Sequence, residues 1–202
     1  MAGALSSLRG RLENGRITGT FVKLSALESI EICAQSLDFC VVDHEHSQLS
    51  EADVLRLVRH AAALDFPAVV RIPEVDRGLV NRLLEAGAAG IQLSSTRRVA
   101  DVRALASAAA PLVVIQLETR ETDDPPIELC RAGADVAFLG LTDLLVDCDL
   151  DEGVAAVRAE TLAAAVAEAG IVLGGFGAEE RFRYAVVSSD VALLREGVAG
   201  VR

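Results

Sequence analysis

Eight short apolar runs, each separated from the next by a longer polar or amphipathic segment, constrain the fold of this chain more than any other feature. They are Gly19 to Val22, Phe39 to Val42, Ala68 to Ile72, Gly90 to Leu93, Leu112 to Leu117, Val136 to Leu139, Ile171 to Gly174 and Ala185 to Ser188. Each is of strand length, and each is apolar at successive rather than alternate positions, as strands buried on both faces are. The clearest helical pattern between them follows Ser50 and Asp53, a pair spaced like a capping box. It carries Val54, Leu57, Val58, Ala61 and Ala62 on one face. The segments "LLEAGAAGIQL", "LCRAGADVAFL" and "VAEAGIVLGG" repeat one device: a helix end, a glycine just past it, then an apolar strand. Glycine suits that place because a helix stop commonly needs φ > 0.

Strands alternating with helices predict a parallel sheet covered by helices, and eight such units predict an α/β fold of the (β/α)8 TIM-barrel type. At 202 residues the barrel is compact, and the whole chain, 1–202, reads as one domain. A doubly wound open sheet is the alternative, but no G-x-G-x-x-G follows the first strand. With aromatic residues at only 3%, the core must come from Leu, Val, Ile and Ala.

A net charge of -11 disfavours nucleic acid and anionic membranes as partners, since both need basic surface. No apolar run reaches the roughly 20 residues of a membrane span. The N-terminal stretch "MAGALSSLRGRLENGR" lacks a continuous apolar core, so a cytoplasmic location is expected. Cys33, Cys40, Cys130 and Cys148 have no C-x-x-C spacing and read as buried thiols of a reducing compartment.

In a parallel barrel the active site lies at the C-terminal ends of the strands. There the sequence places Asp43, His44, Glu45 and His46 after strand two and Arg71 at the end of strand three. Gln116 and Glu118 lie on one side of strand five, Thr142 and Asp143 follow strand six, and Gly174 and Gly175 end strand seven. Each group also has a plainer reading: Arg71 as a surface ion-pair partner, Glu118 as a residue preceding a helix, Asp143 as a helix N-cap, His60 as a solvated side chain. Their coincidence on one rim favours function. A zinc site is poorly supported, because no cysteine pair completes four ligands. Oxygen ligands from Glu118 and Asp143 suit a hard divalent cation, Mg2+ or Mn2+.

The ordered set "VVDHEHS", "VVRIP", "LLEAGAAGIQL", "VVIQLET" and "FLGLTDLL" resembles the HpcH/HpaI aldolase family, the metal-dependent pyruvate aldolases of the phosphoenolpyruvate/pyruvate barrel superfamily. The resemblance runs from about Gly19 to about Asp190. It implies that His46 is the acid/base residue, oriented by Asp43. It further implies that Arg71 and Gln116 hold the pyruvate oxygens and that Glu118 and Asp143 ligate the metal; Gly174, by its place at the end of strand seven, would leave room for a ligand near the backbone. His44 stands where the family usually has an apolar residue and takes no role. Where relatives insert a longer segment before strand five, this chain has one helix, Thr96 to Ala109, which predicts shortened loops. The helix after strand eight is expected to be short or absent.

The implied reaction makes or breaks a carbon–carbon bond of a 2-oxo acid through a pyruvate enolate, with an aldehyde as the other partner. A Claisen-type condensation or cleavage with an acyl partner, like that of citrate-forming or citryl-lyase-like relatives, needs the same enolate. A non-catalytic binding barrel is the third reading. A Schiff-base mechanism would have to use Lys23, the only lysine. A homo-oligomer is expected.

Overall fold

The computed structural model describes residues 8–108 and 110–201. Residues 1–7 of the N-terminal stretch and Ala109, the expected end of the helix before strand five, lie outside the described residues. In chain order the elements are α1 (Leu8–Asn14), β1 (Ile17–Val22), α2 (Leu27–Ala34), β2 (Phe39–Asp43), α3 (Glu51–Ala63), β3 (Ala68–Ile72), α4 (Arg77–Glu85), β4 (Gly90–Leu93) and α5 (Val99–Ser107). They continue with β5 (Val113–Leu117), α6 (Pro126–Arg131), β6 (Val136–Leu139), α7 (Leu141–Asp147), α8 (Glu152–Ala169), β7 (Val172–Phe176), β8 (Tyr184–Ser189) and α9 (Asp190–Ala199). The strands close into a parallel barrel in sequence order, β8 pairing with β1. The fold is a (β/α)8 TIM barrel.

Local chemistry explains the boundaries. Ser50 and Asp53 form the full capping box of α3, each side chain meeting the other's backbone N–H. Gly87, Gly133 and Gly170 take φ of 101°, 117° and 70° just past α4, α6 and α8, where a side chain would be strained. The short helix expected before strand five is α5, and the segment after strand eight forms the ten-residue α9.

Two departures from strict alternation stand out. α1 precedes the first strand and closes the barrel floor with Leu8 and Leu12, which pack in one cluster with Phe39, Leu112, Val136 and Tyr184. No helix joins β7 to β8. Residues 177–183 return the chain as a loop anchored by Phe182, which is fully buried against the space beside Gly175. The buried side of the loop does the work of the missing helix.

The outward faces of the strands pack on the helices in two further clusters. One is built around Val42, Leu57, Val70 and Leu83, the other around Ile115, Leu139, Leu162 and Val166. All four cysteines are free and buried, and burial pushes the Cys33 and Cys130 thiols up to about 11. Among the described residues no helix is long and apolar enough to cross a membrane.

Candidate functional site

The register of the barrel decides which polar side chains meet. Asp43 on β2 pairs directly with Arg71 on β3, and Arg71 with Gln92 on β4. Neighbours in register share a face, so the three side chains enter the barrel mouth at one level. Above the apolar floor the interior therefore turns polar, and Asp43, Arg71, Gln92, Gln116 and Glu118 are all buried.

Asp43 is the most heavily partnered of them. Arg71 grips it with two parallel hydrogen bonds, Nε to Oδ1 at 2.9 Å and Nη2 to Oδ2 at 2.6 Å. Lys23 Nζ lies 3.2 Å from Oδ2, and Oδ1 also accepts the backbone N–H groups of Glu45 and His46. Burial alone would raise the Asp43 pKa. The bonds and charge of Arg71, the His46 N–H and the Lys23 charge outweigh it and hold the carboxyl at about 2. Arg71 is thus no surface ion-pair partner. Its guanidinium is 5% exposed and lies 4.7 Å over the Phe21 ring.

Asp43 touches His46 through the main chain, fixing the loop rather than the ring. The imidazole is half-exposed, with Nε2 3.7 Å from Glu45 Oε2. That same Glu45 oxygen is buried without a hydrogen bond and lies 3.3 Å from Arg71 Nη1. Glu45 therefore stands between the arginine and the histidine, a place its sequence neighbours alone do not reveal. His44 turns away, its Nδ1 meeting the Leu49 carbonyl. His60 is not simply solvated: its Nε2 lies 3.0 Å from Glu31 across α2 and α3.

The opposite wall carries the second carboxylate. Glu118 Oε1 accepts the Ser95 N–H at 2.6 Å and the Ser95 hydroxyl at 3.0 Å, and Oε2 accepts the Gln116 amide. Burial raises the Glu118 pKa to about 7 against the pull of these donors, and the charge of Asp143 pushes the same way. Asp143 lies in the first turn of α7, whose N-cap is Gly140, so it is not itself the cap. At Gly140 a Cβ would collide with Glu118 Oε2, and glycine is what lets the helix start sit on the carboxylate.

A cavity of about 440 Å3 opens at this rim, lined among others by Phe21, Lys23, His46, Arg71, Gln116, Phe138, Asp143 and Phe176. Glu118 lies behind Gln116, outside the lining, and Gly174 does not line it either. The space that Gly174 leaves is taken by Tyr184, whose carbonyl and ring would stand 2.9 and 3.1 Å from an added Cβ. Lys23 does line it, but in an ion pair rather than in the apolar pocket that activates a Schiff-base lysine.

Two carboxylates whose charges oppose one another, one of them pressed against a glycine-cleared helix start, fit a divalent cation. Among the described residues no third His, Cys, Asp or Glu completes a protein-only metal cluster. Mg2+ sites usually hold one or two carboxylates, the remaining positions going to water and substrate. Glu118 would have to exchange its bond with the Gln116 amide for the metal.

No protein-family model and no curated protein matches the sequence. Solved structures do match. The HpcH/HpaI aldolase from Desulfitobacterium hafniense DCB-2 is 22% identical at a TM-score of 0.84, over 96% of this chain and 94% of that one. Citrate synthase SbnG is 20% identical at 0.84, over 96% and 95%. The citrate lyase beta subunit from M. tuberculosis, complexed with oxaloacetate and magnesium, is 19% identical at 0.64, over 92% and 96%. At these identities the likeness establishes the barrel fold.

Proposed function

We propose that the chain is a member of the HpcH/HpaI aldolase family, a carbon–carbon lyase that makes or breaks a bond of a 2-oxo acid through a pyruvate enolate. The observation that carries this reading is the convergence of Arg71, Gln116, Asp143 and His46 on one cavity at the strand ends, with Asp43 and Glu118 directly behind them. The same barrel serves the aldolase, the citrate synthase and the magnesium-bound lyase subunit it resembles.

In the cleavage direction the carboxylate of a 4-hydroxy-2-oxo acid meets Arg71 Nη1, the guanidinium nitrogen not bonded to Asp43, and shares it with Glu45 Oε2, 3.3 Å away. The Gln116 amide donates to the keto oxygen. Glu118 and Asp143 would hold Mg2+ or Mn2+, which when bound supplies Lewis-acid stabilisation of the developing enolate charge. His46 takes the proton of the C4 hydroxyl, and the C3–C4 bond breaks with its electrons passing to the enolate. The aldehyde then leaves, and protonation at C3 gives pyruvate. The half-exposed ring of His46 has room to turn toward the substrate.

Four buried free thiols support a reducing, cytoplasmic setting. Exposed apolar side chains on α7 to α9, among them Val146, Val157 and Leu194, support a homo-oligomer.

The likeness to citrate synthase SbnG supports a second reading, a Claisen-type condensation or cleavage joining an acyl thioester and a 2-oxo acid on the same barrel. A coupled assay separates the two. Pyruvate released from 4-hydroxy-2-oxo acids, dependent on Mg2+ or Mn2+ and lost in EDTA, is the expected result. Consumption of acyl thioester with 2-oxo acid in place of that release would establish the Claisen variant, and neither activity would overturn the enolate reading. Glu118→Ala and Asp143→Ala should each abolish Mn2+ binding with the fold retained. Unchanged Mn2+ affinity by calorimetry in both variants would remove the metal assignment.

A further inference from the structure

Gln92 belongs to no part of the mechanism above, yet it is fully buried in the barrel and bonded to a residue that lines the cavity. A neutral amide in a four-residue strand at this depth needs its polar atoms satisfied. They are satisfied in a line. Tyr184 Oη lies 3.5 Å from Gln92 Oε1, Gln92 Nε2 is 2.7 Å from Gln116 Oε1, and Gln116 Nε2 bonds Glu118 Oε2.

The direction of every bond in this line follows from its fixed end. The Ser95 backbone N–H can only donate, and it holds Glu118 Oε1 as an acceptor; with Glu118 ionised, as a metal ligand must be, Oε2 accepts as well. An acceptor carboxylate requires the NH2 end of Gln116. The Gln116 carbonyl must then face Gln92 and accept from its NH2, which leaves the Gln92 carbonyl to accept from the Tyr184 hydroxyl. Burial keeps that phenol protonated and able to donate. Gly174 gives Tyr184 the space to stand there.

We infer that Gln92, held by Tyr184, is a positioning residue that locks the Gln116 side chain with its carbonyl toward Gln92 and its NH2 end toward Glu118 and the Gly140 edge of the cavity. Specificity follows from that lock. An N–H at this point donates to a keto or carboxylate oxygen and disfavours a ligand that presents its own donor there, such as an amine or hydroxyl hydrogen. The inference rests on the enolate reading only for the identity of the ligand, a 2-oxo acid.

The chain has four glutamines, Gln35, Gln48, Gln92 and Gln116, so side-chain amide NMR of 15N-glutamine-labelled protein resolves the question without any ligand. Tyr184→Phe is the informative variant, because the hydroxyl it removes bonds Gln92 and not Gln116. The expected result is a shift of the Gln116 amide pair, transmitted through Gln92, while Gln35 and Gln48 stay in place as fold controls. A Gln116 pair unmoved in Tyr184→Phe and in Gln92→Met overturns the inference.

Pyruvate affinity in the presence of Mn2+ adds a second test. Gln92→Met should weaken it about tenfold, the scale of one hydrogen bond. The Gln92→Met, Gln116→Met double variant should then be no weaker than Gln116→Met alone. Additive losses would mean that Gln92 acts on stability rather than through Gln116, and would overturn the inference. If wild-type protein binds no pyruvate, the functional reading fails, and the amide spectrum alone decides the positioning role.

Discussion

Asp43 and Glu118 stand at the same mouth of the same barrel, both buried, and their environments drive them in opposite directions. Asp43 has two cations and two backbone N–H groups, and its carboxyl is held at about 2. Glu118 has neutral donors and an acidic neighbour, and its carboxyl is raised to about 7. One wall is a finished ion-pair assembly. The other meets its carboxylate with the neutral donors of Ser95 and Gln116. The difference teaches that burial of a carboxylate says little until its partners are counted.

The sharpest way to break the comparison is to strip the β2–β3 wall of its cation. Arg71→Met leaves Asp43 buried beside Lys23 alone and should cost about 3–5 kcal/mol in urea unfolding. Adding Asp43→Asn should recover part of that loss, because no charge then remains to be paired. A double variant as unstable as the single one would mean that Arg71 stabilises by packing on Phe21 instead.

The pH dependence of stability comes next. Glu118 has a folded pKa above its ordinary 4.5, so its contribution is fully present below 4.5 and is lost as pH rises through about 7. The native state holds the extra proton in that window, and the change amounts to about 3 kcal/mol. Glu118→Gln should flatten the slope between pH 4.5 and 7. Asp43 runs the other way, its contribution present above the ordinary 3.8 and lost as pH falls toward 2. A slope unaffected by Glu118→Gln would place the raised carboxyl elsewhere. Proton and metal compete for the same oxygens, so Mn2+ should bind more tightly as pH rises through 7.

The smallest effect belongs to Lys23→Met. Its ammonium is partly exposed and Arg71 already satisfies Asp43, so a loss of about 1 kcal/mol is expected. A loss as large as that of Arg71→Met would make the two cations equal partners.

The barrel was legible because its signals are local. Apolar runs of strand length and glycines past helix ends mark β2 to β6 to within a residue at either end, and β7 to within two. The missing helix between β7 and β8 was not, since its place is filled by one buried ring, Phe182, at long range. The rim was legible as a set of residue types at strand ends. The pairing of Asp43 with Arg71 was hidden because it depends on the register of two strands. Gln92 carried a signal that could have been used: a lone amide inside "GIQL" has to face the barrel interior or leave its polar atoms unmet. Gly174 looked like room for a ligand, and only the position of Tyr184 shows what fills that room. Lys23 turned out to guard Asp43, a role that spacing along the chain does not suggest.

Deuterium incorporation at the methyl group of pyruvate in D2O, followed by NMR with and without Mg2+ or Mn2+, probes enolate formation without needing the second substrate. Exchange that requires the metal and disappears in Glu118→Ala is the expected result. Folded wild-type protein that exchanges no methyl protons with either metal would contradict enolate chemistry at this rim.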